Sequence, residues 1–313
     1  MRAIDQFAGW GGKTQGAEDA GVDVVWAANH WPLAVQAHAL NHPSTEHACQ
    51  DLRQADWTKL PDFEILLSAP ACQGHSTASQ PRRRAHHDAL RATAIAVVDC
   101  ADVTEPQAII VENVPSFLRW RLYPWWKDGL EKLGYSIDTR IVMASRHGVA
   151  QRRQRLFIIA TRKGVTVRPF LGSVDEPAFG PLLQEDVDHK WLPVAKANPS
   201  IAGRIAKGRA NHGPTFLTQH TTGHAGVNLS EPIRTITTAP SHWNLVDGDR
   251  YRALTPRELA RGMGFADTFT WPAGTGAALV TKGIGNAVCP PVAKMVVGAV
   301  AEAIASTPAR IAA

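Results

Sequence analysis

Phe63-Glu64-Ile65-Leu66-Leu67-Ser68-Ala69-Pro70-Ala71-Cys72-Gln73-Gly74-His75-Ser76 runs from an apolar, strand-like segment into a turn of small residues that carries one thiol. A turn after a strand faces the rim of its sheet, which sets Cys72 where a nucleophile can meet a substrate. An isolated cysteine taken alone reads equally as a buried small hydrophobe. A second apolar run, Ala108-Ile109-Ile110-Val111, ends in Glu112-Asn113-Val114. In a parallel sheet the two strand ends fall on one edge, the edge at which open α/β folds bind their ligands. Thiol and carboxylate then share a cleft.

Outward from this pair, residues 1 to about 163 alternate between short β-type runs and helical patterns. Strands are predicted at 3–7, 22–27, 63–68 and 108–112, and helices starting at 13, 32, 88 and 121. Such alternation predicts a doubly wound parallel sheet with helices on both faces. Residues 135–143 and 156–161 read as two further strands joined by a basic turn, an edge hairpin that completes the sheet. After Lys163-Gly164 helical periodicity fades and Pro, Gly, His, Asn and Thr become frequent. Residues 164–245 are therefore expected to form a small, loop-rich second domain, with Ala202, Gly203 and Gly208 suited to a mobile loop. Residues 246–313 form a return segment. Thr255 is placed to cap a helix that has Pro256 at its first position. The last helix, from Pro291 to about Ile304, has only Lys294 and Glu302 as charges and is predicted to pack on the first domain.

With 313 residues, 44% of them hydrophobic, the chain can bury a sizeable core. Its 33 Lys+Arg against 28 Asp+Glu leave a formal charge of +5, which favours a polyanionic partner. Cys49, Cys72, Cys100 and Cys289 are scattered without a Cys-x-x-Cys pair, so neither a disulfide nor a metal is expected. No apolar stretch is read as reaching the roughly 20 residues of a membrane helix, and no signal-peptide core follows Met1. The expectation is a soluble, cytoplasmic chain with no membrane partner, or one in the host cytoplasm if virally encoded.

Strand one enters Phe7-Ala8-Gly9-Trp10-Gly11-Gly12-Lys13-Thr14-Gln15-Gly16, a glycine-dense turn that opens a helix. Glycines there let the backbone approach a ligand closely. The spacing is neither that of a phosphate-binding Walker loop nor the full Gly-x-Gly-x-x-Gly of dinucleotide folds. The second strand ends in Asn29-His30-Trp31, with His30 where a ribose-binding carboxylate is expected. Asp51 can accept from an adenine amino group, or can be an exposed turn aspartate.

These motifs, taken in order, resemble those of the DNA (cytosine-5) methyltransferase family over nearly the whole chain. The signatures are Phe7-Ala8-Gly9-Trp10-Gly11-Gly12, Pro70-Ala71-Cys72-Gln73, Glu112-Asn113-Val114, Gln151-Arg152-Arg153-Gln154-Arg155, Arg252-Ala253-Leu254-Thr255-Pro256-Arg257-Glu258 with Gly264-Phe265, and Gly285-Asn286-Ala287-Val288. The resemblance implies a Rossmann-like class I methyltransferase sheet with an inserted small target-recognition domain. It implies S-adenosylmethionine as cofactor, held by Phe7, Gly9, Gly11, Gly12, His30, Trp31, Asp51, Pro70, Asn286 and Val288. Cys72 would add to C6 of a flipped cytosine, Glu112 would bond the exocyclic amine and protonate N3, and Arg153 and Arg155 would neutralise charge and hold O2. Double-stranded DNA would meet Gln73, Ser76, Arg82, Arg83, Arg84, Arg91 and Thr237. Base reading would fall to the interval holding Arg204, Lys207, Arg209, Asn211, His212, Gln219, His220 and His224. A monomer is expected, since a cleft for one flipped base needs no second subunit.

The sequence departs from the family pattern at Ala71, where a second proline is usual, at His75, where phenylalanine is usual, and at His30, where glutamate is usual. Cytosine methylation of RNA, transfer of a modified one-carbon-derived group, and a catalytically silent nucleic-acid binder stay open beside the leading reading.

Overall fold

The computed structural model describes residues 1–71, 92–185, 190–221 and 224–307. In chain order they form β1 (Arg2–Gln6), α1 (Gly12–Asp19), β2 (Asp23–Asn29), α2 (Pro32–Asn41), β3 (Glu46–Cys49), β4 (Ile65–Ser68), α3 (Ile95–Thr104), β5 (Ala108–Asn113), α4 (Tyr123–Lys132), β6 (Tyr135–Met143), β7 (Gln151–Arg152) and β8 (Gln154–Arg162). There follow β9 (Leu192–Pro193), α5 (Pro199–His212), β10 (Thr215–Gln219), β11 (Ile233–Arg234), β12 (Trp243–Asp247), β13 (Arg250–Ala253), α6 (Pro256–Met263), α7 (Ala277–Asn286) and α8 (Pro290–Ala305).

Two compact units emerge: Met1–Met143 with Gln154–Leu171 and Pro290–Ala313, and Ala144–Arg153 with Gly172–Cys289. The first holds a seven-stranded sheet ordered β3-β2-β1-β4-β5-β8-β6. Strands β1 to β5 pair in parallel, while β8 runs antiparallel between β5 and β6. Every residue of β4 and β5 is buried, as a strand covered on both faces requires. Ile4, Leu66, Ile109, Phe117, Trp126 and Ile158 belong to the core on one face. On α1, Gly16 packs directly against the start of α8: a methyl group there would stand 2.5 Å from Ala293 Cβ and 2.6 Å from Pro290 O.

The second unit is larger than the interval 164–245 read from the sequence. It takes in β7, which pairs in parallel with β11, and it continues to Cys289. Residues past 245 are tied in because Glu258 accepts from Gln184 N at 2.9 Å and Thr255 Oγ1 donates to Gln184 Oε1 at 2.7 Å. Its antiparallel sheet is ordered β10-β12-β13-β9. Helix α5 corrects the expectation of a mobile loop at Ala202, Gly203 and Gly208: all three lie within it. Asn198 Oδ1 caps its start at Ile201 N (2.9 Å), with Pro199 in the first turn. Ile205 of α5 packs with Phe216, Val246 and Tyr251. Gly208 is what permits this close approach, since a Cβ there would lie 2.1 Å from the Phe216 ring. Thr255 and Glu258 form a complete capping box on α6.

One stretch runs against the reading that no segment is apolar and long enough to cross a membrane. By length and composition Ala277–Ala305 qualifies, but it is divided into α7 and α8, and 61% of its most apolar window is buried inside the protein.

Candidate active site

Strand order reverses beside β1: the chain proceeds from β1 outward through β2 and β3, then returns to lay β4 on the other side of β1. Outside the carboxyl ends of strands at such a switch point lies the ligand crevice of an open α/β sheet. The glycine-dense loop follows β1 and Ala69-Pro70-Ala71 follows β4, so the two signatures flank the same crevice.

Backbone geometry explains the glycines. Gly9 (φ 58°) and Gly11 (φ 83°) are left-handed, as is Phe7 (φ 56°). Among the described residues, its chain neighbours aside, no atom stands within 4 Å of where a Gly9 side chain would begin, so they leave that face of the loop open. Under Gly11 there is no such room, because a Cβ would stand 2.7 Å from His42 Nε2. Lys13 does not reach for a phosphate. Its ammonium is buried against Asp5 Oδ1 (2.7 Å) and donates to Gln6 O (2.9 Å), pinning α1 to β1. Thr14 Oγ1 donates to Asp5 Oδ2 (2.9 Å), which spends its only proton. The 2.9 Å contact between Thr14 Oγ1 and His38 Nε2 therefore requires a proton on that nitrogen, and His38 Nδ1 then accepts from His47 Nε2 at 2.8 Å. Burial, followed by the charges of His42, His47 and Lys13, holds the His38 pKa well below the ordinary imidazole value. The floor of the loop is thus a fixed, neutral hydrogen-bonded column.

At the end of β2, His30 is exposed and Trp31 half-buried, its ring 5.3 Å from that of Trp10. Asp51 follows β3 and caps a short turn at Arg53 N (3.0 Å). Hydrogen bonding to Arg53 holds its carboxyl at about 2, with His30 adding a small pull in the same direction. An open glycine face, an aromatic wall and an anionic rim fit a cationic sulfonium cofactor with an adenosyl group.

At the end of β5 the catalytic expectations converge. Glu112 is 6% exposed, and its Oε1 lies 3.0 Å from Arg155 Nε of the adjoining β8. Asn113, fully buried, donates from Nδ2 to Pro70 O at 3.0 Å. Ala71 N is held by Thr93 Oγ1 at 3.1 Å. The turn leading to the cysteine is thus fastened to the strand that carries the carboxylate. Cys72, Gln73, Ser76, Arg82, Arg83, Arg84 and Arg91 lie outside the described residues.

Arg153 belongs to the second unit. It is 1% exposed, and its guanidinium donates to Ile236 O (3.0 Å), Gly285 O (2.9 Å) and Ala287 O (3.2 Å). Among the described residues those contacts clamp three backbone carbonyls. Gln151, to which the sequence reading gave no role, does similar work: it accepts from Ile236 N at 2.6 Å and donates to Gly262 O at 3.2 Å. Thr237, next to the clamp, is half-buried and lines a small cavity with Ala239, Ser241, His242 and Trp243. Its close packing on Gly285 leaves no space for a Cβ there. Asn286 is exposed and Val288 buried. Among the described residues no cluster of His, Cys, Asp or Glu is arranged to hold a metal ion.

Similarity to known proteins agrees with this geometry. Type II methyltransferase M.NlaX of Neisseria lactamica is 28% identical over 95% of both chains. DNA (cytosine-5)-methyltransferase 1 of Rattus norvegicus is 29% identical over 52% of this chain, which spans only 11% of that relative's length. The structure of the Entamoeba histolytica methyltransferase EhMeth superposes with a TM-score of 0.75 at 16% identity, covering 97% of this chain and 98% of that one, which shows a shared fold. The model of the C-5 cytosine-specific DNA methylases matches residues 1–190 and 195–302, and on that near-complete match the chain belongs to the C-5 cytosine-specific DNA methylase family.

Proposed function

We propose that this DNA (cytosine-5) methyltransferase uses Cys72 as nucleophile on a cytosine flipped from duplex DNA, with Glu112 and Arg155 as the groups that receive the base. The ion pair between Glu112 and Arg155, beside the Asn113 to Pro70 tether, carries the proposal. It sets an acid and a cation at the strand end next to the chain that leads into Cys72.

C5 of cytosine is a weak nucleophile. Addition of the Cys72 thiolate to C6 moves electron density onto N3 and C5. A proton from Glu112 at N3 neutralises the ring, and Arg155 balances the charge of the carboxylate and of the base oxygen. Phe7, Gly9, Trp31 and Asp51 would hold S-adenosylmethionine, which would supply an electrophilic methyl group for C5. Loss of the C5 proton, return of the N3 proton to the Glu112 carboxylate and departure of the Cys72 sulfur as thiolate restore the aromatic, methylated base. Arg153 acts as a positioning residue in this scheme. Flipping costs a few kcal/mol, which contacts to the opened duplex must supply. The basic run at Arg82, Arg83 and Arg84 and the polar surface of the second unit are assigned to that duplex.

Nucleoside mass spectrometry of unmethylated duplex DNA incubated with the protein and S-adenosylmethionine tests the reading. A new 5-methylcytosine peak, lost in Cys72→Ser while DNA binding persists, is the expected result. Absence of any modified cytosine with wild-type protein, or loss of DNA binding together with activity in Cys72→Ser, overturns it.

A further inference from the structure

The polar side chains of the second unit divide into those that hold the unit together and those that do not. Arg209 Nη2 is committed to Gly248 O (2.6 Å) and Asn211 Nδ2 to Ala225 O (3.2 Å). His224 is buried, its Nδ1 accepting from Gln219 N (3.3 Å) and Gly226 N (3.2 Å), with its ring edge-on to Trp243. His212 packs its ring on Phe216. Four groups gather around the end of β10 and the start of β12: half-buried Arg204 from α5, exposed His220, half-buried His242 and buried Asn244.

Their proximity is direct. His220 N donates to His242 O at 2.8 Å, and Asn244 Nδ2 lies 2.6 Å from His220 Nε2. Arg204 bonds Ser200 Oγ through Nη1 at 2.9 Å, and its charge is felt at His220, His242 and His224 alike. Desolvation first, and Arg204 second, lower the pKa of His220 and of His242. Both imidazoles are therefore biased toward the neutral form and are poor phosphate clamps.

Proton accounting then fixes what the cluster presents. An amide nitrogen can only donate, so His220 Nε2 accepts and the ring proton sits on Nδ1. Arg204 has donors only. A partner edge must therefore offer acceptors side by side. Among the base edges in the major groove, guanine alone displays two acceptors, N7 and O6, without a donor.

We propose that Arg204 and His220, with Asn244 fixing the His220 tautomer, form a guanine-reading site for a base flanking the target cytosine. The proposal rests on the duplex-DNA reading above and adds the residues and base that set sequence choice.

Base-resolution sequencing of a random duplex library methylated by wild type, Arg204→Ala, Arg204→Gln and His220→Ala tests it. Wild-type products should share a guanine at a fixed offset from the modified cytosine. Arg204→Ala and His220→Ala should each relax preference at that one offset by about 5- to 150-fold while still producing 5-methylcytosine. Arg204→Gln should move it toward adenine, which glutamine pairs in bidentate fashion. It also serves where the alanine variant fails to fold. Unchanged site choice in folded variants, or relaxation spread evenly over all positions, refutes the guanine site alone. No methylcytosine from wild type refutes the proposed function, and this inference with it.

Discussion

Arg153 and Arg155 are one residue apart from being neighbours and identical in type, yet the structure assigns them opposite sensitivities. Replacing Arg153 by leucine removes donors from three buried carbonyls at 2.9–3.2 Å, on Ile236, Gly285 and Ala287. A hydrogen bond to a charged group contributes about 1.5–3 kcal/mol net, and a buried carbonyl left unpaired costs about 1–3 kcal/mol. Three such losses share one guanidinium and one local relaxation, so they do not add in full. Removal of the buried charge's own desolvation cost offsets part of the sum. The net expectation is a loss of about 3–5 kcal/mol. Arg155 holds one ion pair, to the largely buried Glu112, so its replacement by leucine should cost less, about 1–3 kcal/mol, because the carboxyl left behind can take up a proton. Urea unfolding followed by far-ultraviolet circular dichroism measures both, and methyl transfer at a temperature where each variant is folded gives the companion readout. Arg155→Leu should lose about 100- to 10,000-fold in kcat while losing less stability than Arg153→Leu. An Arg153→Leu protein as stable as wild type but inactive would refute the clamp and return Arg153 to the base-binding role.

Three further outcomes follow from the same geometry. Arg252 and Glu258 form a buried bidentate pair at 2.6 and 2.8 Å, so Glu258→Gln should cost about 3–5 kcal/mol in thermal or urea unfolding. Burial alone would raise the Glu258 pKa, but bonds from Arg252, Gln184 N and Thr255 N outweigh it and lower the value below 4.5. The pair's contribution is therefore complete above pH 4.5 and fades as pH falls through the lower folded value, and urea titrations between pH 3 and 7 should show wild type losing more stability on acidification than Glu258→Gln. Asn113→Ala frees the Pro70 carbonyl and should lower kcat about tenfold or more with little change in S-adenosylmethionine affinity; equal damage to both would reject the tether. Gly11→Ala places a methyl group against His42 in a left-handed conformation that costs about 1–2 kcal/mol, and calorimetry should find cofactor affinity reduced about tenfold.

Legibility in the sequence followed how local each cause was. The glycine loop, Glu112 at a strand end and the Thr255 cap are spelled by adjacent residues, and the structure places them at those local positions. Helix α5 was missed because Gly203 and Gly208 depress helix propensity, while the reason for Gly208 is the Phe216 ring on a different element. The roles of Arg153 and Arg155 could not be separated, since only the carbonyls of Ile236, Gly285 and Ala287, far along the chain, distinguish them. Asn113 and Gln151 were visible as letters of motifs, but their partners Pro70, Ile236 and Gly262 were not. His242 and Asn244 follow the same rule: it is the start of β12 beside the end of β10 that brings them into the cluster.

The seat of Gly16 on α8 has a bearing on how the protein is made. The helix that supports the glycine loop is synthesised well before its packing partner, which begins only at Pro290. At about 5–20 residues per second, roughly 15–55 s separate the two. During that interval the second unit can complete its own fold, while the first has an uncovered face on α1 around Gly16. A nascent chain arrested just before Pro290 should then bind cofactor more weakly than one extended through Ala305, which ties the glycine loop to a helix made long after it.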